Sequence, residues 1–231
     1  MNKEIITDET ITDEERAQLI KQMEWYNKTP QEKFESYLSE IIPLLTSGEE
    51  QEVADKVISY NFYNDDQITQ EVLKYICNHY IDDFIDESIV YNMIIQCYLY
   101  NGYNFPKQIM LKAKQLSRFI PDNIRCTDLP KTKEVTIYRA TASTAEQAKK
   151  EISWTINKDV GIWFAYRFHE AESMPDLHLY QGLIDYDKII AYTNDRNEYE
   201  VIQHRNVRDI IEIFPTEEEI ERAMKAHKEA Q

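Results

Sequence analysis

The sequence is short of glycine and cysteine and has no long apolar run, and each shortage excludes a class of protein. Only four glycines occur in 231 residues. None of them forms a GxGxxG or GxxxxGK[ST] motif, which excludes nucleotide binding through a Rossmann turn or a P-loop. No apolar stretch reaches the ~18 residues that a membrane helix needs.

The cysteines and the first residues indicate a cytoplasmic setting. Cys77, Cys97 and Cys126 are odd in number and widely spaced, so they predict reduced thiols and not a disulfide framework or a zinc site. The segment Met1–Glu4 lacks a basic region followed by an apolar stretch, so we expect no secretory signal.

The sequence is rich in acidic residues, with 42 Asp or Glu against 26 Lys or Arg. Its formal net charge is −16. Residues 1–128 hold 12 Lys or Arg against 23 Asp or Glu, a net of −11, and residues 129–231 hold 14 against 19, a net of −5. Such a surface repels phosphate backbones, so a nucleic-acid partner is not expected. The surplus favours solubility or attraction to a basic partner. Mimicry of DNA is less favoured, because the acids are spread among helical apolar residues.

The first half reads as successive helices. Thr12–Glu15 and Thr29–Glu32 are capping boxes that each begin an apolar pattern at helical spacing. Residues 86–100 are apolar enough to form the central helix of a bundle. We therefore predict an acidic, all-helical domain over residues 1–128.

The sequence pattern changes from helical to strand-like after Pro121–Lys133, a stretch with two prolines and mixed polar residues. Short β-branched and alternating runs predict strands, and Thr216–Glu219 is a third capping box that begins a C-terminal helix. The predicted strands cover residues 135–139, 178–184, 189–193, 199–203 and 207–214. Residues 129–231 are therefore predicted to be an α+β domain with a mostly antiparallel sheet.

Glu198 and Glu200 are the most informative residue pair. In the run Glu198-Tyr199-Glu200-Val201-Ile202, which otherwise reads as a strand, period-2 geometry predicts that both carboxylates face one side of the sheet. Like charges this close are unfavourable unless a cation or a substrate compensates them. The ordinary explanation is a charged edge strand, with Arg196 pairing one acid. The functional explanation is a carboxylate pair that stabilises positive charge on a sugar ring.

Two upstream segments could serve the same site. Arg139 ends a predicted strand; it could pair with an acid, or grip a phosphate through its planar fork. Ser153-Trp154-Thr155 places hydroxyls on both sides of a large aromatic. It could be a strand edge with a core tryptophan, or a hydroxyl that positions a carboxylate while the aromatic walls a ring-binding slot.

Taken in order, these segments resemble the R-S-E class of mono-ADP-ribosyltransferases. Arg139, then Ser153-Trp154-Thr155, then a helix over residues 160–165, then Glu198-x-Glu200 follow that family's pattern over about residues 134–214. The middle segment is Ser-Trp-Thr, where the family more often has Ser-Thr-Ser. The resemblance implies a compact domain with a split, mostly antiparallel sheet behind the helical bundle.

The resemblance also implies a function and roles. It implies a glycosyltransferase that uses NAD as substrate, needs no metal, and modifies a protein acceptor. In it, Arg139 holds the NAD phosphates and Ser153 hydrogen-bonds the catalytic Glu200. Glu198 activates the acceptor, and a first glutamate in this motif often accompanies arginine acceptors. Trp154 or a nearby tyrosine is a candidate to stack on nicotinamide, and Thr155 completes the segment.

Two other functions stay open at this stage. The chain could be a catalytically silent acidic protein that engages a basic partner, such as a phage-encoded inhibitor, or it could be an NAD glycohydrolase. Abundant Ile, Lys, Asn and Tyr suggest an AT-rich bacterial or phage genome. The resemblance implies a toxin- or effector-like protein, which we expect in the cytoplasm of the producing or infected cell.

Overall fold

The computed structural model describes residues 12–60, 66–101, 105–167, 177–194 and 197–230. Its helices are α1 (Asp13–Asn27), α2 (Pro30–Ser47), α3 (Glu50–Ser59), α4 (Asp66–His79), α5 (Glu87–Asn101), α6 (Lys107–Leu116), α7 (Asp122–Arg125), α8 (Ala145–Ala148), α9 (Lys158–Tyr166) and α10 (Glu217–Ala230). Its strands are β1 (Glu134–Thr141), β2 (Ser153–Thr155), β3 (His178–Asp185), β4 (Ala191–Thr193), β5 (Glu200–Ile202) and β6 (Arg208–Glu212). No helix in these ranges is both long and apolar enough to cross a bilayer.

Contacts divide the chain into two units, residues 1–104 and 105–231. This division falls earlier than the boundary predicted at 128/129, and it groups α6 and α7 with the sheet. Side-chain contacts give the reason. Lys114 in α6 donates to the carbonyl of His204 at 2.8 Å, and Arg125 in α7 donates to the carbonyls of Tyr186 and Ile189.

The described part of unit 1 is helical, and its first two helices begin where the capping boxes predicted. Thr12 caps α1 and Thr29 caps α2, each in a reciprocal pair with the glutamate three residues later. Gly48 ends α2 in the left-handed conformation, at φ 79°, as a terminal glycine does.

The apolar helix α5 packs against α3 and α4 and supplies much of the core of unit 1. This confirms the prediction of a central helix over residues 86–100. Its buried side chains are Val90, Tyr91, Met93, Ile94, Ile95, Cys97 and Tyr98. The high apolar content on every side of this helix is what allows neighbours to cover it.

Unit 2 is built on one six-stranded sheet in the order β4-β5-β2-β1-β3-β6. Every neighbouring pair in this order is antiparallel, so the predicted α+β class and antiparallel sheet are confirmed. Each of the predicted strands overlaps an observed one over most of its length, although β4 and β5 are each two residues shorter than predicted. The C-terminal helix begins after Thr216, as its capping box predicted.

The two faces of this sheet are covered differently. One face carries a large apolar cluster that includes Ile137, Trp154 and Val201, covered in part by α8 and by the segment after α7. The other face is covered by α9, which packs on β1 and β3, and by α10, which packs on α9. Ile162 and Ala223 form the core of that second layer.

Candidate functional site

Three adjacent strands bring the predicted motifs together. In the ladder, Glu200 of β5 lies directly opposite Thr155 of β2, and Thr155 lies directly opposite Tyr138 of β1. Directly opposed residues project from the same face of a sheet, with Cβ atoms about 4.5–5.5 Å apart. Glu200, Thr155 and Tyr138 therefore share one face, the face that α9 covers.

The same register extends this set into a polar row across five strands. Thr193 of β4 lies opposite Glu200, and Gln181 of β3 lies opposite Tyr138. We call Thr193, Glu200, Thr155, Tyr138 and Gln181 the Glu200 row. Five consecutive cross-strand positions therefore carry hydrogen-bonding side chains on a face where α9 and α10 otherwise bury apolar groups.

Glu200 is buried at the first position of β5, with 5% of its surface exposed. Thr155, its neighbour, is also buried. The Thr155 hydroxyl donates to the carbonyl of Glu198 at 2.7 Å and accepts from the backbone N–H of Asn157 at 3.0 Å. Because a hydroxyl has one hydrogen, Thr155 is committed to fixing the chain just before Glu200 and the start of α9.

Ser153 occupies a different position from Thr155. It lies opposite Ile202, two residues along β2 from the Glu200 row, or about 6–7 Å by strand geometry. The hydroxyl directly opposite Glu200 is therefore that of Thr155, which is, with Trp154, one of the two positions at which this sequence departs from the more usual Ser-Thr-Ser.

Glu198 does not lie on β5, which begins at Glu200. Tyr199 between the two acids has φ 51°, and Asn197 on the other side has φ 57°. The prediction that Glu198 and Glu200 share a face by strand alternation is wrong, because a left-handed residue interrupts the alternation between them. Arg196, proposed as an ion-pair partner, lies outside the described residues.

Two hydrogen bonds hold the backbone conformation of Tyr199. Its N–H donates to Oδ1 of Asn194 at 3.1 Å, and its carbonyl accepts from the N–H of Ile156 at 3.1 Å. A left-handed non-glycine residue costs about 1–3 kcal/mol and persists only where the surroundings hold it. The segment before Glu200 is such a place.

Arg139 lies on the opposite face of the sheet from Glu200. It follows Tyr138 in β1 and pairs with Tyr180, so its side chain projects away from the Glu200 row. Its guanidinium donates to the carbonyl of Ser153 at 2.5 Å and lies 3.6 Å from a carboxylate oxygen of Glu151. Its buried Nε has no hydrogen-bond partner among the described residues.

Trp154 is part of the core on that opposite face. It is buried in the apolar cluster with Val201, and its indole N–H donates to the carbonyl of Glu151 at 3.2 Å. Alternation along β2 therefore separates Trp154 from Thr155 and from the Glu200 row.

Sequence reasoning missed Tyr138 and Gly161 as parts of this site. Gly161 lies inside α9, where a Cβ atom would come within 2.9 Å of Cβ of Tyr138 and 3.7 Å of Cγ2 of Thr155. A glycine in the interior of a predicted helix is a known signal of close backbone approach. That signal was available in a chain with so few glycines. Tyr138 follows only once the register of β1 against β2 is known.

Two ion pairs attach α10 to the start of α9. Arg222 grips Asp159 through two nitrogens, at 3.1 and 2.7 Å. Lys158 lies 2.6 Å from Glu219. Asn157 caps α9 by accepting from the N–H groups of Asp159 and Val160. The helix that covers the Glu200 row is thus held at its N-terminal end by α10 as well as by the sheet.

Comparisons with protein-family models, with curated proteins and with solved structures find no significant match for this chain. Within the described ranges, no cluster of three or more His, Cys, Asp or Glu side chains could hold a metal ion. The function must therefore be argued from the residues and geometry of the Glu200 row.

Proposed function

We propose that unit 2 is an NAD-dependent mono-ADP-ribosyltransferase in which Glu200 is the catalytic carboxylate. The observation that carries the proposal is the direct pairing of Glu200 with Thr155 on the neighbouring strand. The family pattern needs its S-x-[ST] and E-x-E segments side by side, with the first strand next to them. The order β5-β2-β1 supports that arrangement.

The proposed reaction is favoured by a negative charge placed where positive charge develops in the transition state. Cleavage of the nicotinamide–ribose bond passes through an oxocarbenium-like state, as in glycoside hydrolysis. The carboxylate of Glu200 would stabilise that state and accept a hydrogen bond from a ribose hydroxyl. A well-placed group of this kind contributes about 3–4 kcal/mol, because the surroundings are preorganised and largely dry.

The position of Arg139 gives less support to its role in phosphate binding than the position of Glu200 gives to catalysis. In the family pattern Arg139 holds the phosphates, whereas here its guanidinium faces away from Glu200 and is held by the carbonyl of Ser153. A phosphate would also have to compete with Glu151, 3.6 Å away. By fixing the start of β2, Arg139 acts in this structure as a positioning residue for the strand that carries Thr155.

The position of Glu198 favours NAD hydrolysis as a second candidate. The expectation of an arginine acceptor depended on Glu198 lying beside Glu200 on one strand face. The left-handed Tyr199 separates them, and the carbonyl of Glu198 serves to anchor Thr155. With no second carboxylate held next to Glu200 by the strand, water would be the acceptor, and free ADP-ribose the product.

The test is incubation of the full chain with NAD labelled in the adenosine half, alone and with bacterial lysate. We expect nicotinamide release by the wild type and at least a hundredfold slower release by Glu200→Gln, in line with the loss of one electrostatic group. Label on protein identifies a transferase, and label only in free ADP-ribose identifies a glycohydrolase.

The matched control is Glu212→Gln, which removes a carboxylate from the edge strand β6, outside the Glu200 row. It should release nicotinamide at the wild-type rate. Circular dichroism establishes that both variants fold. If the wild type at high concentration leaves NAD intact in both conditions, both enzyme functions fail and the silent acidic binding protein becomes the better explanation.

A further inference from the structure

One segment of this acidic protein contains basic residues but no acidic ones. Residues 105–121 contain four basic residues and no Asp or Glu, although the whole chain holds 42 acids. Lys107, Lys114 and Arg118 are spaced seven and four residues apart, a spacing that puts them on one side of α6 and its extension. The side extends for about 16 Å at the helical rise per residue.

The loop between β5 and β6 adds to this surface. Nζ of Lys114 donates to the carbonyl of His204 at 2.8 Å and to Oδ1 of Asn206 at 3.2 Å. Arg205 lies between those two residues, is exposed, and has a left-handed backbone at φ 57°. We call Lys107, Lys114, Arg118 and Arg205 the basic surface.

The basic surface is not neutralised by the described part of the chain. None of its four cations forms a salt bridge with a described residue. Burial, together with the positive charges of Arg118, Lys188 and Arg205, lowers the pKa of Lys114. Burial and the nearby Lys114 likewise lower the pKa of His204. The folded protein therefore holds like charges together, which an external anion would relieve.

Lys107 lies at a position where a positive charge does not stabilise its own helix. It is the first residue of α6, and the first turn of that helix contains no acid. A cation at a helix N-terminus opposes the helix dipole, whereas an acid there is stabilising. Lys107 therefore adds positive charge to the basic surface without stabilising α6.

Apolar side chains accompany these charges. Phe119, next to Arg118, is 70% exposed, and Leu111 lies between Lys107 and Lys114 and is 44% exposed. Cations along a surface with an exposed aromatic ring are the combination that holds a phosphate backbone while a base stacks. An acidic protein would use the charges but has less need of an open ring.

We propose that the basic surface binds single-stranded nucleic acid, with its four cations on the phosphates and Phe119 as a stacking platform. The whole-chain charge argued against such a partner. Screening limits that argument, because exposed charges farther away than about 8–10 Å contribute little at physiological salt. The local charge of residues 105–121 decides contact. This surface is separate from the Glu200 row, and the proposal does not depend on NAD turnover.

The experiment is fluorescence anisotropy of a labelled oligothymidylate of about 20 nucleotides with the full chain, across about 50–200 mM salt. Four neutralised phosphates predict a slope of log Kobs against log salt of about −3, at about −0.7 per phosphate on a single strand. The double variant Lys107→Gln/Arg118→Gln should bind at least tenfold more weakly, with a slope of about −1.4. Phe119→Ala should weaken binding while leaving the slope unchanged.

Matched controls separate local from overall charge. Lys225→Gln/Lys228→Gln removes two exposed cations from α10 and should bind as the wild type does. Thermal unfolding should show no loss of stability in Lys107→Gln, because the change removes a cation from a helix N-terminus.

Three results would overturn the proposal. The first is no binding by the wild type at the lowest salt. The second is equal weakening by the α10 control pair. The third is displacement of the oligonucleotide by polyglutamate or inorganic phosphate at equal charge concentration, which would indicate a general anion site.

Discussion

Gly161→Ala tests how closely α9 approaches the Glu200 row. In an open helix, alanine in place of glycine would stabilise by about 0.5–1 kcal/mol. Here the new methyl group would lie 2.9 Å from Cβ of Tyr138 and 3.3 Å from Cδ1 of Leu179. Cβ of Tyr138 is fixed to the backbone of β1 and cannot rotate away, so α9 itself must move. Overpacking of this kind costs about 1–3 kcal/mol, and we expect a net loss of about 1–2 kcal/mol.

The measurement is urea unfolding followed by tryptophan fluorescence, because Trp154 and Trp163 both lie in this unit. Gly48→Ala is the contrasting variant: nothing lies within 4 Å of its new Cβ, and its φ of 79° gives it a purely backbone cost. Gly161→Ala should also slow NAD cleavage, since the displaced helix borders Thr155, whereas Gly48→Ala should not. Unchanged or greater stability of Gly161→Ala would refute the close approach.

Two further predictions concern buried groups in the same unit. Arg125 is 5% exposed and donates to the carbonyls of Tyr186 and Ile189. Arg125→Leu should therefore lower the free energy of unfolding by about 3 kcal/mol. A fall in melting temperature that corresponds to less than about 1 kcal/mol would contradict this prediction. Burial raises the pKa of the Cys126 thiol, which reduces the fraction of Cys126 present as thiolate. A thiol reagent at about pH 8 should therefore modify the less buried Cys77 before Cys126. Mass spectrometry that finds Cys126 labelled in the native protein as fast as Cys77 would show that the thiol is accessible.

The parts of the fold that depend on local chemistry were predictable from the sequence. Thr12 and Thr29 mark helix starts because a capping box is complete within four residues. The alternation in β1 and the apolar length of α5 are likewise properties of short segments. Predictions of this kind need no knowledge of what packs where.

The parts that depend on pairing between distant segments were not predictable. The opposition of Thr155 to Glu200 is set by the register of β2 against β5, and a shift of one residue would turn the carboxylate to the other face. The grouping of α6 with the sheet depends on Lys114 meeting residues 204–206, about ninety positions later. No short motif encodes either contact.

The backbone of Tyr199 shows a third limit, and it bears directly on function. Glu-x-Glu reads as a strand in any pattern analysis, because left-handed φ in a tyrosine has no sequence signature. The chain has few glycines and instead places five described non-glycine residues at positive φ. Two of them flank Glu198, and Arg205 on the basic surface is another. Strain of this kind needs support from the surrounding structure, which Asn194 and Ile156 give to Tyr199. Both proposed sites thus include backbone in an unfavourable left-handed conformation that the surrounding fold stabilises. Around Glu198 this conformation forms the turn that leads into β5 and places Glu200 opposite Thr155.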